Sequence, residues 1–254
     1  MIIRKQKDAF LMIQQHDHGK LSRELFRHWK HMPASPHHRD SVSFAISNHD
    51  IGWLLLDRKP RWNNEANAPY SFLDYPLEPK LTAYQKGIEM VEAEDSYAAL
   101  LCSKHYARFV EHHESNIAKN FIETEAMRRQ RIMDSLGDVE QEEIAKDYAL
   151  LQLFDDFSLL LCMNEPGDSV EKFHPFFQKG LRVPQKIEGL HTDYIQPQWD
   201  KPSRMRLNPF PFGDPFSLAI PFKTVREQSI AENGLKNAYQ QAKNEILTIQ
   251  IHPT

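Results

Sequence analysis

Residues 45–53 read AISNHDIGW, and the histidine–aspartate doublet inside them governs how the rest of the chain is read. The segment from about Asp40 to Leu56 places Val42, Ala45, Ile46, His49, Trp53 and Leu56 on one face of a predicted helix. Asp40 or Ser41 can cap it, and Pro60 marks the end of the helical region. His49 thus falls on an apolar face, with Asp50 beside it at the edge of that face. A titratable group is costly to bury unless something pairs with it. Imidazole and carboxylate together are a metal-ligating pair.

Two more segments carry the same pattern. Upstream, residues from about Asp8 to His31 are predicted helical, with His18, Leu21, Leu25 and Trp29 sharing one face. The opposite face carries His16, Lys20, Arg23 and Arg27, so the spacing selects His18 as the inward histidine. His16, His28, His31, His37 and His38 read as surface residues. Downstream, Gln141 to Asn164 contains YALLQLFDDFSLLLCM, apolar almost all round and therefore a buried helix. It nevertheless carries two carboxylates. Asp155 aligns with Ile144, Tyr148, Leu151, Leu159 and Cys162; Asp156 lies one step round and stays an alternative.

Between these segments, residues 57–79 (DRKPRWNNEANAPYSFLDYPLEP) form a long aromatic and proline-rich loop, a length that usually accompanies function. Helices are predicted for Lys80 to about Glu94, Asp95 to about Asn116 and Asn120 to Leu136. The second places Ala98, Leu101, Cys102, His105, Phe109 and His112 on one face, with His113 adjacent. Beyond Pro166 and Gly167 the character changes. Strand-like runs occur at Met205–Leu207 and Phe216–Phe222, a helix-like stretch at Val225 to Asn244, and alternating LTIQIH follows. The expected fold is mainly α: a helical domain over 1–165 and a smaller α+β extension over 166–254.

Composition narrows the function. The 254 residues carry a net charge of -4, which does not favour nucleic acid as a partner. No apolar run reaches membrane-spanning length, and MIIRKQKDAF lacks a secretory core. Cys102 and Cys162 read as reduced thiols of a cytoplasmic protein. With only 9 glycines, neither GxGxxG nor GxxxxGK[ST] occurs, which argues against a dinucleotide or P-loop site. The 13 histidines are the compositional oddity.

The order His18, His49-Asp50, Asp155, each on its own predicted helix, resembles the HD-domain superfamily. AISNHDIGW is similar to that family's apolar helix ending in the doublet, HGKLSRELF to its leading histidine segment, and LLQLFDDFSLLLC to its distal aspartate helix. The resemblance covers about residues 10–164 and suggests a divergent bacterial member. It implies an HD-type helical bundle holding one or two divalent ions (Fe, Mn, Zn, Mg, Co or Ni) through His18, His49, Asp50 and Asp155. His105 and His112 are then candidates for a second ion, with His113 a rival to His112. The implied activity is hydrolysis of a small phosphorylated substrate by a metal-activated water, with Asp50 and His105 as catalytic residues. Many relatives of that kind carry a basic residue where Trp53 stands here. Trp53, Arg58, Lys59, Arg61 and Trp62 are the substrate-binding candidates, while Asp17, Asp156 and Ser158 are candidates to orient the ligating histidines. Di-iron oxygenation and a non-enzymatic binding role are the alternatives, and a homodimer is compatible with the reading.

Overall fold

The computed structural model describes residues 1–30, 36–137, 139–187 and 189–254. His31, expected at the surface, lies outside these. The chain opens with an antiparallel hairpin, β1 (Ile2–Lys5) and β2 (Ala9–Ile13), then α1 (Gln15–Arg27) and α2 (Arg39–Asn48). A short helix α3 (Leu54–Asp57) and a small hairpin, β3 (Trp62–Asn63) and β4 (Ala68–Pro69), lead to α4 (Leu77–Glu92). Three long helices follow: α5 (Ser96–Arg108), α6 (Asn116–Leu136) and α7 (Gln141–Met163). The remainder is β5 (Leu181–Arg182), β6 (Tyr194–Lys201), β7 (Arg204–Asn208), β8 (Phe216–Arg226), α8 (Glu227–Asn233), α9 (Leu235–Gln241) and β9 (Glu245–Pro253).

The strands form one seven-stranded sheet in the order β1-β2-β8-β9-β7-β6-β5. It is mixed: β7 and β9 run parallel and the other neighbours antiparallel. The fold is therefore α/β, and the expectation of a mainly α, all-helical architecture is corrected by this curled sheet. The helical expectation failed first at the N-terminus, where Ala9–Ile13 is strand and the helix begins only at Gln15.

The reason is burial on both faces. Leu11 and Ile13 pack into the main core with α1 and α7, while Phe10 and Met12 pack with Leu235, Ala238 and Tyr239 of α9. A strand covered on both sides has no polar alternation to betray it. Its partner, β8, lies some 200 residues away, with Phe10 opposite Val225 and Met12 opposite Lys223. β6 was missed as well, with Pro197 in mid-strand, a residue that reads against one.

The pairing of β2 with β8 joins the two ends of the chain across the expected boundary at 165/166. The main core likewise runs from Ile2 to Ile251. Among the described residues, no helix is long and apolar enough to cross a membrane.

On the helical side, α1, α2, α5 and α7 pack against one another. Close approach is set by glycines. A Cβ on Gly19 of α1 would lie 2.9 Å from the Ser47 carbonyl oxygen of α2. A Cβ on Gly52 would lie 2.2 Å from the Ala83 carbonyl oxygen, where the turn after Asp50 abuts α4. Both obstacles are backbone and cannot rotate away. Gly52→Ala is expected to destabilise the fold by about 1–3 kcal/mol, as overpacking does, read as a lowered urea midpoint; an unchanged midpoint would contradict this packing.

Candidate functional site

The helix expected over Asp40 to Leu56 breaks at the doublet. α2 ends at Asn48, His49 is its C-terminal cap, and Asp50 leaves the helical conformation at φ -115°, ψ 20°. The break turns two adjacent side chains towards one centre. His18 arrives from α1, His105 from α5 and Asp155 from α7. All five are buried, none more than 5% exposed.

Distances define the cluster. His18 Nε2 lies 2.9 Å from Asp50 Oδ2 and 4.0 Å from Asp155 Oδ1. His49 Nε2 lies 3.3 Å from Asp155 Oδ1, and His105 Nε2 3.9 Å from Asp155 Oδ2. The imidazoles of His18 and His49 are edge to face at 4.9 Å, those of His49 and His105 at 4.8 Å. Two triads, His18–His49–Asp155 and His49–Asp50–His105, each bring one ligand atom per residue within 4.8 Å of the others.

The surrounding hydrogen bonds fix which atoms face inward. His49 Nδ1 is 2.8 Å from the Ile46 carbonyl oxygen, which can only accept, so Nδ1 carries the proton. In its neutral form the ring turns an Nε2 lone pair to the centre, where that atom has no hydrogen-bond partner despite its closeness to Asp155. Asp155 Oδ2 and His105 Nδ1 are also buried without a hydrogen bond. His18 Nδ1 is 2.7 Å from Ser158 Oγ, which is also held by Ser22 and by the Asp155 carbonyl. Gln15 Nε2 donates to Asp50 Oδ2 at 2.9 Å. The Ser158–His18–Asp50 relay resembles a nucleophilic triad in form, but Ser158 is wholly buried and is not among the residues lining the cavity beside this centre.

Charge follows geometry. Burial opposes the His49 imidazolium, but the Asp155 and Asp50 carboxylates overcome it and raise this histidine to about 9. Burial would raise Asp155, yet His105, His49 and His18 hold it well below the usual carboxylate range. Burial also opposes the Asp50 carboxylate, and His18 and His49 again lower it. Burial drives His105 down to about 3, leaving it neutral. Asp156, by contrast, is raised to about 7 by burial and by Asp155 beside it. At neutral pH the cluster thus holds two charged carboxylates, Asp50 and Asp155, beside an imidazolium at His49 and a neutral His105.

A cavity of about 230 Å³ opens onto this centre. Asp50, His105 and Asp155 form part of its wall, with Gln15, Lys80 and Arg108. Arg108 Nη2 lies 3.5 Å from Asp155 Oδ2. Lys80 and Arg108 escaped the sequence reading, as did Gln15, although Arg108 follows His105 and Gln15 precedes His18 by the same i,i+3 spacing, which places each pair on one helical face. Trp53 also lines the cavity.

Other candidates lie elsewhere. His112 is 93% exposed beside Glu111, because α5 stops at Arg108 and the expected helix to Asn116 does not form. His113 is also exposed, its Nδ1 accepting from the Ser115 amide. Arg58, Lys59 and Arg61 are exposed and do not line the cavity. Trp62 packs edge-on against Phe10 on the other side of the sheet. Asp17 pairs with Lys20 rather than with His18 or His49. Asp155, not Asp156, enters the cluster; Asp156 reaches only the cavity wall.

Fold and site together define an α/β protein with a buried histidine–aspartate centre at the foot of a cavity. The family model described as DUF3891, a protein of unknown function, matches residues 1–227, and the chain belongs to that family. No curated protein and no solved structure matches it.

The His49 shift has a consequence for stability. Its folded value of about 9 exceeds the ordinary 6.5, so the His49–Asp155 pairing stabilises fully below 6.5 and is lost as pH rises through about 9. Metal-free protein is expected to melt at progressively lower temperature between about pH 7 and pH 9. Asp155→Asn should remove most of that slope, and equal slopes in the two proteins would contradict the pairing.

Proposed function

We propose that the chain is a metal-dependent hydrolase acting on a small phosphorylated substrate. The observation that carries this reading is the pair of imidazole Nε2 atoms, of His18 and His49, that face carboxylate oxygens in a buried centre. With its proton held at Nδ1 by the Ile46 carbonyl, neutral His49 turns an Nε2 lone pair to Asp155 Oδ1, and two lone pairs face to face need a proton or a cation between them. Protons meet that demand in the metal-free protein, and a divalent ion would replace them. The buried, unbonded His49 Nε2 and Asp155 Oδ2 fit such an ion.

His18, His49, Asp50, His105 and Asp155 would hold it. Both triads use His49, whose Nε2 can serve one ion only, so the five donors favour a single site. Three imidazoles beside two carboxylates favour Fe, Mn, Zn, Co or Ni over Mg. Such an ion, when bound, acts as a Lewis acid on a phosphoryl oxygen and activates water.

The remaining roles belong to side chains. Gln15 and His18 fix Asp50 Oδ2, while Ser158 and the Ile46 carbonyl set the ring orientations of His18 and His49. His105, held neutral by burial, keeps ring nitrogen lone pairs available to an ion at the cavity wall. Lys80 and Arg108 supply positive charge for an anionic substrate in the same cavity. The cytoplasm is our proposed compartment, since Cys102 and Cys162 are buried free thiols and burial raises Cys162 to about 12.

Release of inorganic phosphate from small phosphomonoesters tests the reading, assayed with Mn²⁺, Fe²⁺ or Zn²⁺ and with chelator. Turnover is expected only with an ion, and Asp155→Asn should lower it by about 100-fold or more, beyond what loss of an orienting neighbour does. No phosphate release with any ion, or oxygen consumption with Fe²⁺ in its place, would overturn hydrolysis.

A further inference from the structure

Three of the large apolar side chains that the fold leaves in solvent stand around the mouth of the cavity: Leu73 at 50%, Phe109 at 46% and Phe176 at 61% exposure. They come from three separate places, the 57–79 loop, the end of α5 and the 3-10 turn Pro175–Phe177 after α7. A single exposed apolar residue needs no explanation. Three converging from distant segments on one opening form a patch of the kind that binds.

The cavity is graded in chemistry. Its floor residues Asp50, His105 and Asp155 are 5%, 1% and 2% exposed. Arg108 is intermediate, with 27% of its side chain exposed. The apolar three are the most open. Arg108 also lies over the Phe109 ring at 4.9 Å, which ties the cationic part of the wall to the lip. Leu73 is positioned by its own loop: Asp74 accepts from the Ser71 amide at 2.7 Å and from Asn63 Nδ2 at 2.7 Å.

We infer that the site selects an amphipathic phosphomonoester, its phosphoryl group held by Lys80 and Arg108 above the buried centre and its aromatic or compact apolar body held by Leu73, Phe109 and Phe176. This rests on the hydrolase reading for the fate of the phosphoryl group, and on the lip for the identity of the body. The volume agrees. A cavity of about 150 Å³ accepts benzene, and the 230 Å³ here leaves room for a phosphoryl group beside one ring. A polyhydroxylated body such as a sugar would place its hydroxyls against three hydrocarbon side chains, with no hydrogen bonds to replace those to water.

Calorimetric titration into the full chain with Mn²⁺ tests this, comparing inorganic phosphate with phenyl phosphate, for which the non-hydrolysable phenylphosphonate stands in during the titration, and with metal content and phosphate release from phenyl phosphate measured on the same preparations. Phenyl phosphate is expected to bind about 10-fold more tightly than inorganic phosphate, as burial of one ring allows. The double variant Leu73→Ala, Phe176→Ala changes only exposed residues; it should bring the ratio to about 2 or less while leaving inorganic phosphate affinity unchanged. Lys80→Gln should weaken both ligands about 5-fold, as loss of one charge-assisted contact does. Equal affinities in the unaltered protein, a ratio untouched by the double variant, or no binding of phenyl phosphate overturns the inference. A phenyl phosphate preference without phosphate release refutes hydrolysis and keeps the amphipathic ligand; phosphate release without the preference does the reverse.

Discussion

The contact between His49 and Asp155 sets the terms for the rest of the molecule. Both groups are sealed among four helices, where an uncompensated charge destabilises by several kcal/mol. Each therefore has to be answered. The Ile46 carbonyl fixes the far nitrogen of His49, and Asp155 is met by His49, His18, His105 and Arg108 from three other elements. No one of these partners is local in sequence to Asp155. The centre exists only once α1, α2, α5 and α7 have packed, so its geometry and the helical core form together.

The sheet serves that core from one side. β2 presents Leu11 and Ile13 to the helices and Phe10 and Met12 to α9, and β8 completes the pairing from the other end of the chain. Position 15 follows two residues after β2, so the sheet also sets where α1 starts and hence where Gln15 and His18 stand. The Gln15 amide donates to Asp57 Oδ2 at 2.7 Å while its side chain donates to Asp50, joining the α1 terminus to both ends of the turn after His49. The cavity wall, in contrast, draws on a loop and a 3-10 turn, elements that can vary without disturbing the buried centre.

Much of the site was legible in the residues. His18, His49, Asp50, His105 and Asp155 each stood out as a polar group on an otherwise apolar helical face, and all five converge. His112 did not, because face alignment assumes that a helix continues, and nothing in the spacing of α5 announced its end at Arg108. The sheet was less legible. Met205–Leu207, Phe216–Phe222 and LTIQIH read as strands because one face is more open than the other, whereas AFLMI is buried on both and reads equally as helix. The pairing of β2 with β8 is a non-local fact that no window of local sequence contains. Lys80 and Arg108 look like ordinary surface cations until the cavity brings them together.

The central claim is that the five buried side chains form a cation site. Elemental analysis of the untagged protein, as isolated and after loading with Mn²⁺, Fe²⁺ or Zn²⁺, tests it most directly, beside the His49→Ala, Asp50→Ala variant shown by circular dichroism to be folded. The account predicts about one ion per chain in the unaltered protein, as the single shared His49 Nε2 requires, and essentially none in the variant. Absence of metal from both proteins after loading, or full retention in the variant, would contradict it.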